Sequence, residues 1–183
     1  MELTDGVVTL RPPAADDADW VVESCRDPEI QRWLPAMPSP YERSDAEWWL
    51  GMCERVRAEG TAVPFVITDA RSGARFGVID LRLGPPADVG YWAAPGGRGR
   101  GVVTRALRLV AAHGFERGLE RIELFTLPEN VRSQAVALRA GFLRDGHAPG
   151  RIPTRDGESR DAFRFALTRP AAPEPGERGA DAS

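Results

Sequence analysis

The chain has 183 residues, 42% of them hydrophobic, and a formal net charge of −3 at pH 7. This length and composition suit one domain with its own core, and the acidic balance argues against a nucleic-acid-binding protein. No apolar stretch approaches the ~20 residues of a membrane span, and no basic and then hydrophobic leader begins the chain, so we expect neither a membrane span nor a signal peptide. Two cysteines without metal-ligand spacing indicate reduced thiols, a cytoplasmic location and no metal site.

The first half of the chain predicts a strand, three helices and then two further strands. The predicted elements are a strand at 7–11, helices at 14–26, 30–34 and 44–59, and a strand hairpin at 63–69 and 76–83. Ser44 is the predicted N-cap of the third helix, and Glu47 completes a capping-box pattern with it.

The second half places a loop of glycine and arginine between a strand and a helix. Its predicted elements are strands at 89–93 and 121–126, helices at 102–117 and 132–140, and two last strands near 143–147 and 162–168. From Pro170 onward proline, alanine, glycine and charge dominate. This predicts one domain over residues 1–169 and a disordered tail over residues 170–183.

The loop that precedes residue 102 has the composition of an anion site. Glycines let the backbone approach a ligand, and the first turn of the following helix leaves N–H groups without intrahelical partners. Those N–H groups and the positive end of the helix dipole favour a phosphate or pyrophosphate. Arg98, Arg100 and Arg105 add positive charge at the same place. A surface turn with solvated arginines is the alternative interpretation.

The spacing excludes two common phosphate motifs. No Gly-Lys-Ser/Thr follows the loop, since the chain contains no lysine, and its glycines are wrongly spaced for a dinucleotide fingerprint. The segment Arg98-Gly99-Arg100-Gly101-Val102-Val103 instead resembles the Arg/Gln-x-x-Gly-x-Gly/Ala pyrophosphate loop of the GNAT superfamily of acyl-CoA-dependent N-acetyltransferases. Val103 departs from that pattern, which has Gly or Ala there, and a valine can crowd the phosphates.

A second segment resembles the RimJ/RimL-like branch of the same superfamily. Asn130-x-x-Ser133-x-x-Val136 follows a predicted strand, and Gly141-Phe142 closes the next helix eleven residues after the Asn. The N-terminal segments Leu10-Arg11-Pro12 and Arg26-Asp27-Pro28-Glu29-Ile30 agree with that branch. The resemblance covers roughly residues 5–168.

This resemblance implies the GNAT fold: α+β, with a mixed sheet in a three-layer α/β/α arrangement. It implies that the strands at 89–93 and 121–126 run parallel and splay apart, and that the pantetheine of acetyl-CoA lies in the split. The Trp92 N–H is the oxyanion donor that it implies. The implied cofactor-binding residues are Trp92, Ala93, Ala94, Arg98, Gly99, Arg100, Gly101, Val102, Val103, Thr104, Asn130 and Ser133.

Acetyl transfer to an amine needs a neutral amine, a stabilised oxyanion and, for the leaving thiolate, a source of protons. Many GNAT enzymes have a tyrosine four residues before the Gly-Phe pair, but Ala137 occupies that position here. The RimJ/RimL-like pattern implies that Ser133 takes this role, and a cap at the start of the helix is its alternative. Asn130 is expected to hydrogen-bond either pantetheine or the backbone of its own loop.

Two residues are the leading candidates for the general base. Glu123 lies on the splayed strand, and His147 is of the residue type that exchanges protons near neutral pH. Asp80 and Asp161 rank behind them, and loss of the amine proton to water without a dedicated base is a further alternative.

Aromatic residues of the N-terminal helices are expected at the acceptor side of the site, where the resemblance places that wall. Trp33, Tyr41 and Trp49 either line the acceptor site or lie under it as part of the core.

Together these features predict an N-acetyltransferase that moves an acetyl group from acetyl-CoA to a primary amine by direct attack in a ternary complex. The RimJ/RimL-like pattern favours the α-amino group of a protein or peptide, and a small amine or aminoglycoside-type acceptor stays open. Related enzymes are often dimers, which leaves a homodimer as a further possibility.

Two other classes of function compete with this one. A non-catalytic acyl-CoA sensor would be favoured by Val103 and Ala137. A nucleic-acid or phosphate-binding protein would use the arginines, but their even spread and the acidic balance of the chain argue against it.

Overall fold

The computed structural model describes residues 1–170. The strands are β1 (Leu3–Thr4), β2 (Val8–Arg11), β3 (Ala62–Asp69), β4 (Arg75–Arg82), β5 (Asp88–Ala93), β6 (Arg121–Thr126), β7 (Leu143–Pro153) and β8 (Ser159–Thr168). The helices are α1 (Ala18–Cys25), α2 (Pro28–Trp33), α3 (Arg43–Glu59), α4 (Val102–Glu116) and α5 (Val131–Ala140). The predicted disordered tail lies outside the described residues except for Pro170.

One eight-stranded mixed sheet runs through the described chain in the order β1-β2-β3-β4-β5-β6-β8-β7. Neighbouring strands are antiparallel except β5 and β6, which are parallel. The predicted fold class is confirmed, and β1 is an addition to the predicted element order.

Different helices cover the two faces of the sheet. On one face α4 and α5 pack on the main hydrophobic cluster, which includes Ile79, Leu107 and Ile122. On the other face α1 and α3 enclose a smaller cluster, with Trp92 of β5 packed against it. Because side chains alternate along a strand, Tyr91 faces α4 and α5, whereas Gly90 and Trp92 face α1 and α3.

The start of α3 differs from the predicted capping box. The helix begins at Arg43, so Ser44 lies inside its first turn. The Asp45 carboxylate accepts the Glu42 N–H at 2.8 Å, and Glu47 instead pairs with Arg43 at 2.9 Å. The Ser44–Glu47 cap was wrong because the helix starts earlier, with Glu42 as its N-cap and Asp45 as the residue that accepts the N-cap N–H.

The last hairpin is longer than predicted. The sequence placed its strands near 143–147 and 162–168, whereas β7 and β8 extend the pairing to Pro153 and Ser159. The intervening residues are rich in proline, glycine and charge and lack the apolar alternation that marks a half-buried strand. Here backbone pairing at the edge of the sheet, with β7 largely exposed, sets the strand length.

Candidate active site: a split between two parallel strands

The parallel strands β5 and β6 pair over only part of their length. Their register joins Asp88 to Glu123 and Val89 to Leu124 and then stops, although both strands continue. Beyond that point the strands are no longer hydrogen-bonded to each other. The result is a split in the middle of the sheet, open toward the C-terminal ends of both strands, as expected from the sequence.

The backbone of β5 presents alternate residues to the split. The Ala94 N–H donates to the Phe76 carbonyl in β4 at 2.9 Å, which fixes the phase of the antiparallel ladder. By that phase the Trp92 N–H points to Val78 in β4, whereas the backbone groups of Tyr91 and Ala93 point to the split. This phase argues against the predicted use of the Trp92 N–H as oxyanion donor, because that N–H faces β4 rather than the split.

The loop after β5 ends at the exposed amide groups of a helix. Gly99 and Gly101 have φ values of 72° and 73°, a backbone conformation that residues other than glycine rarely adopt. Gly101 is the N-cap of α4, and the first N–H that bonds back to it is that of Arg105, at 3.1 Å. The N–H groups of residues 102–104 thus have no intrahelical acceptor, which is the geometry of an anion site.

Val103 does not fill this anion site. Its side chain is 7% exposed and belongs to the main hydrophobic cluster under α4. The expected crowding of the phosphates by a valine is therefore not seen, because the side chain points into the core.

The three arginines near the loop are all engaged with protein groups. Arg98 contacts the Asp27 carboxylate, with Nη2 2.5 Å from Oδ1, and this hydrogen bond holds the pKa of Asp27 below its usual value. Arg105 pairs with Asp5 at 2.7 Å. Arg100 lies over the Phe76 ring, 4.6 Å from its centroid. Asp27 also caps α2 by accepting two backbone N–H groups, so the loop is tied to that helix.

Phe76 of β4 supports the loop from below and was missed by the sequence analysis. Its carbonyl accepts the Ala94 N–H, and its ring lies under Arg100. A Cβ on Gly97 would lie 2.4 Å from the Phe76 carbonyl oxygen, so only glycine fits there without a shift of the loop.

A pair of hydroxyl groups bridges the two sides of the split. Tyr91 of β5 reaches the first turn of α5, which follows β6, and its OH lies 2.8 Å from the Ser133 Oγ. Burial raises the pKa of Tyr91 to about 12, so the phenol is protonated at neutral pH. Asn130 is the N-cap of α5: its Oδ1 accepts the Ser133 N–H at 3.0 Å. Asn130, and not Ser133, is therefore the residue that caps this helix, and the Asn130 side chain contacts the backbone of the helix that it begins.

Tyr91 brings a phenol group to α5, the helix in which residue 137 is alanine instead of tyrosine. Ala137, at the position where many GNAT enzymes have a tyrosine, is fully buried in the core. The phenol comes instead from β5, on the same face of the sheet as α5. The sequence signal was present, since Val89, Tyr91 and Ala93 alternate on one face of the strand.

The two leading candidates for the general base lie apart from the open part of the split. Glu123 is buried beside Asp88, at the closed end, and its Oε1 contacts Arg121 at 3.2 Å and Arg164 at 3.9 Å. His147 is on the edge strand β7, separated from β6 by β8, and its Nε2 lies 3.3 Å from Asp161. The structure thus groups the cofactor loop, Tyr91 and Ser133, but not these two residues.

The three aromatic residues predicted at the acceptor side have different environments. Tyr41 is buried in the smaller cluster, and Trp49 packs against that cluster from its edge. Trp33 lines a pocket of about 210 Å³ between α2 and the loop before α5, together with Asn130 and Arg132. Of the three, Trp33 is the residue that reaches a pocket beside the split.

The tip of the last hairpin closes over the same region. The Arg155 N–H donates to the Pro35 carbonyl at 2.9 Å, and its guanidinium donates to the Met37 carbonyl at 2.6 Å and to Gln31 Oε1 at 2.8 Å. The hairpin and the segment after α2 therefore form an arch on the α1 and α3 side of the sheet.

Comparison with known proteins agrees with this geometry. Residues 8–143 match the family described as the acetyltransferase (GNAT) domain. The chain belongs to the GNAT acetyltransferase family. The GNAT architecture accounts for the split sheet, the glycine-rich loop and the helix that follows it.

Individual GNAT relatives match over different lengths. The uncharacterized N-acetyltransferase p20 of Bacillus licheniformis is 30% identical over 145 residues, which cover 76% of this chain and 80% of that protein. YdaF of Bacillus subtilis, provisionally named a ribosomal N-acetyltransferase, is 35% identical over 81 residues, 42% of this chain and 44% of that protein. The second match thus spans less than half of the relative's length.

Among solved structures, Mycobacterium smegmatis RimJ in complex with CoA-disulfide superposes with a TM-score of 0.79 and 27% identity, over 92% of this chain and 86% of that one. This neighbour agrees with the RimJ/RimL-like resemblance.

In this chain, no helix within residues 1–170 is long and apolar enough to span a membrane. Over the same range no cluster of three or more His, Cys, Asp or Glu side chains is arranged to hold a metal ion.

Proposed function

We propose that this GNAT enzyme transfers the acetyl group of acetyl-CoA to the α-amino group of a protein or peptide, by direct attack in a ternary complex. The observation that carries the donor half is the split itself. Its free strand edge at Tyr91 and Ala93 leads directly to the unpaired N–H groups at the start of α4. A long ligand with an anionic end and amide groups in its arm fits this path, and acetyl-CoA has both.

The donor is expected to use mainly backbone groups. The N–H groups of residues 102–104 bind the pyrophosphate, and Arg98 and Arg100 add charge-assisted contacts. The pantetheine amides pair with the free edge of β5 at Ala93. The Tyr91 N–H, next along that edge, is then the donor for the oxyanion of the tetrahedral intermediate.

Tyr91 and Ser133 stabilise the leaving thiolate. The phenol, with its pKa of about 12, is too weak an acid to protonate fully a thiolate whose conjugate acid has a pKa of about 8.5. The hydroxyl pair therefore acts by donating a hydrogen bond to the developing negative charge, and the proton follows from the attacking ammonium or from water.

The acceptor assignment has support from the relatives and from the shape of the site. YdaF carries a ribosomal acetyltransferase name, and the RimJ structure shares the fold over most of the chain. The arch at Arg155 and the pocket at Trp33 lie beside the split, where one end of a peptide chain would approach.

The two features that favoured a non-catalytic sensor, Val103 and Ala137, are weaker arguments in view of the structure. Val103 packs in the core, and Tyr91 supplies a hydroxyl from another strand. A homodimer and a cytoplasmic location stay predictions.

The test is acetyl-CoA turnover, followed as free thiol release, on matched peptides that differ only in a free or formylated N-terminus. Each peptide carries one internal lysine, and mass spectrometry locates the acetyl group. We expect turnover with the free N-terminus and no lysine modification. Turnover only on lysine, on polyamines or on aminoglycosides would replace the proposed acceptor. Acetyl-CoA binding without turnover on any amine would support a sensor instead.

A further inference from the structure

A charged cluster lies on the face of the sheet opposite α4, beside the split. It consists of Asp80 and Arg82 from β4, Asp88 from β5 and Arg151 from β7. Arg82 donates to Asp80 at 2.9 Å and makes a two-pronged contact with Asp88 at 2.9 and 2.7 Å. Arg151 donates to Asp88 at 3.1 Å. The cluster therefore joins three strands on the side of the sheet where the arch and the Trp33 pocket lie.

The two carboxylates of the cluster differ in how fully they are used. Asp88 accepts from both arginines, whereas Arg82 is the one side chain within residues 1–170 that donates to Asp80, through Oδ2. The Asp80 side chain keeps 29% of its surface exposed, compared with 9% for Asp88. Asp80 thus has an oxygen free to accept a proton from a ligand.

Gly90 brings the free oxygen of Asp80 close to the split. Asp80 and Gly90 are directly opposite each other in the ladder of β4 and β5. Asp80 Oδ1 lies 3.1 Å from the position where a Cβ of residue 90 would be, so the carboxylate leans over β5 itself. The next residue of β5 is Tyr91, whose N–H faces the split. The carboxylate and the proposed oxyanion donor are therefore neighbours on the two sides of one strand.

The surroundings raise the affinity of this carboxylate for a proton. Burial raises the pKa of Asp80, the Arg82 guanidinium opposes this effect, and the Asp88 carboxylate adds to it. Cys53 of α3 faces the same carboxylate, and burial together with Asp80 raises the pKa of this thiol to about 12, so it stays neutral. A carboxylate with a raised pKa is a better proton acceptor than an ordinary surface aspartate.

We propose that Asp80 is the general base of this enzyme: it accepts a proton from the acceptor's ammonium group, directly or through one water, and Arg82 and Gly90 position it. This assignment rests on the proposed acetyltransferase function. It is supported by position, because Asp80 reaches the middle of β5, whereas Glu123 is paired with Arg121 at the closed end and His147 is on β7, three strands away from β5.

The step balances without a further reactant. Asp80 takes one proton from R–NH3⁺, and the lone pair that is released forms the C–N bond to the thioester carbon. The tetrahedral intermediate collapses with loss of the C–S bond. The second nitrogen proton leaves and neutralises the CoA thiolate, and Asp80 returns its proton to solvent. The products are the acetamide, free CoA thiol and one proton.

The test compares Asp80→Asn with Asp145→Asn as a matched control. Asp145 has a similarly exposed side chain, at 31%, and pairs with Arg164 at 3.0 Å, but it lies on the edge strand away from the split. At pH 7 we expect D80N to lower kcat/KM for the peptide by about a hundredfold or more. The acetyl-CoA Kd should stay within twofold of wild type, and D145N should keep nearly full activity.

The readout specific to a base is the dependence on amine basicity. An acceptor hydrazide, whose amine is already neutral at pH 7, needs no proton removed before attack. D80N should therefore lose much less activity with the hydrazide than with the amine, and its deficit with the amine should shrink as the pH rises toward the pKa of that amine. Equal losses with both acceptors at every pH would overturn the assignment and leave Asp80 a structural role.

Two outcomes separate this proposal from the one on which it rests. If wild type turns over and D80N is as active as D145N, the assignment of Asp80 as base is wrong, but the proposed acetyltransferase function still holds. Absence of wild-type turnover, with acetyl-CoA still bound, would overturn both. If D80N fails to bind acetyl-CoA, Asp80→Glu is the variant to measure, because it keeps a carboxylate. If Asp80 is the base, the kcat of D80E should be lower than that of wild type but should still fall as the pH is lowered.

Discussion

The two sides of β5 are built in different ways. The cofactor side uses backbone groups from one continuous segment, residues 91–104, where a strand edge, a glycine turn and a helix start follow one another. The other side uses charged side chains from β4, β5 and β7, arranged under α3. A site of backbone groups holds the same ligand in many sequences, whereas a site of side chains can change with the acceptor. The following substitutions test whether the two sides are separable.

Among these substitutions, the largest effect is expected at Gly97, in the loop after β5. A Cβ there would meet the backbone carbonyl of Phe76 at 2.4 Å, so Gly97→Ala must push the loop away from β4. We expect the acetyl-CoA Kd to rise at least about tenfold and the Tm to fall by several degrees, as overpacking by about 1–3 kcal/mol would produce. Calorimetric titration and thermal unfolding measure both quantities.

The neighbouring Gly96 provides the control for this prediction. A Cβ at Gly96 meets nothing within 4 Å, and its backbone is not in the left-handed region. Gly96→Ala should therefore leave the Kd and Tm close to wild type. Equal effects of G96A and G97A would mean that loop flexibility, rather than contact with Phe76, controls binding.

A second glycine of the same region tests the side of β5 that carries the charged cluster. Gly90→Ala places a methyl group 3.1 Å from the Arg82 guanidinium and from Asp80 Oδ1, which are side-chain ends that can move. We expect kcat/KM for the amine to fall about tenfold, since small misplacements at a reacting centre have effects of this order. The acetyl-CoA Kd should not change.

Gly84→Ala is the control for this variant, because Gly84 is in the connection between β4 and β5 and a Cβ there has open space. If G90A weakened acetyl-CoA binding as much as it lowered turnover, the two sides of β5 would not be separable.

Sequence alone predicted the local structure of the loop before α4 much better than it predicted the charged cluster around Asp80, for a physical reason. The Gly99–Gly101 turn and the start of α4 are contiguous, so their spacing is visible in the chain. The phase of the ladder is set by the pairing of Ala94 with Phe76, far away in sequence, so residue spacing alone does not show which N–H groups of β5 face the split. The cluster around Asp80 depends on strand register and hairpin length, which propensities do not fix.

Arg98 and Asp27 connect the loop after β5 to α2. Substitutions at these two residues should change the affinity for acetyl-CoA in opposite directions. Arg98→Ala removes a charge-assisted contact and should weaken acetyl-CoA binding by about tenfold. Asp27→Asn removes the competing carboxylate, while asparagine is as good an N-cap for α2. We expect D27N to bind acetyl-CoA several-fold more tightly at low salt, with the gain reduced at high salt. Titrations at two salt concentrations distinguish these outcomes, and unchanged affinity in R98A would assign the loop to backbone contacts alone.

The smallest expected effect concerns the scaffold of the cofactor side at acid pH. His113 of α4 is 7% exposed, and its Nε2 has no hydrogen-bond partner in the described part of the chain. Burial lowers its pKa, and Arg117 lowers it further while Glu116 opposes the shift. The folded state therefore favours the neutral ring. This contribution to stability is complete above the unfolded pKa of about 6.5 and is lost as the pH falls from there toward the lower folded pKa.

The corresponding measurement is the Tm between pH 8 and pH 5 for His113→Leu and, as control, His147→Gln, whose ring is half exposed and paired with Asp161. Wild type and H147Q should both lose Tm on acidification, and H113L should lose a few degrees less. The quantity to compare is the change in Tm between pH 8 and pH 5, since the Tm of H113L can differ from that of wild type at pH 8 for reasons of packing alone. Parallel curves for H113L and wild type would show that acid acts elsewhere than on α4. A flatter curve for H113L would place an acid-sensitive point within the helix whose first turn forms the anion site.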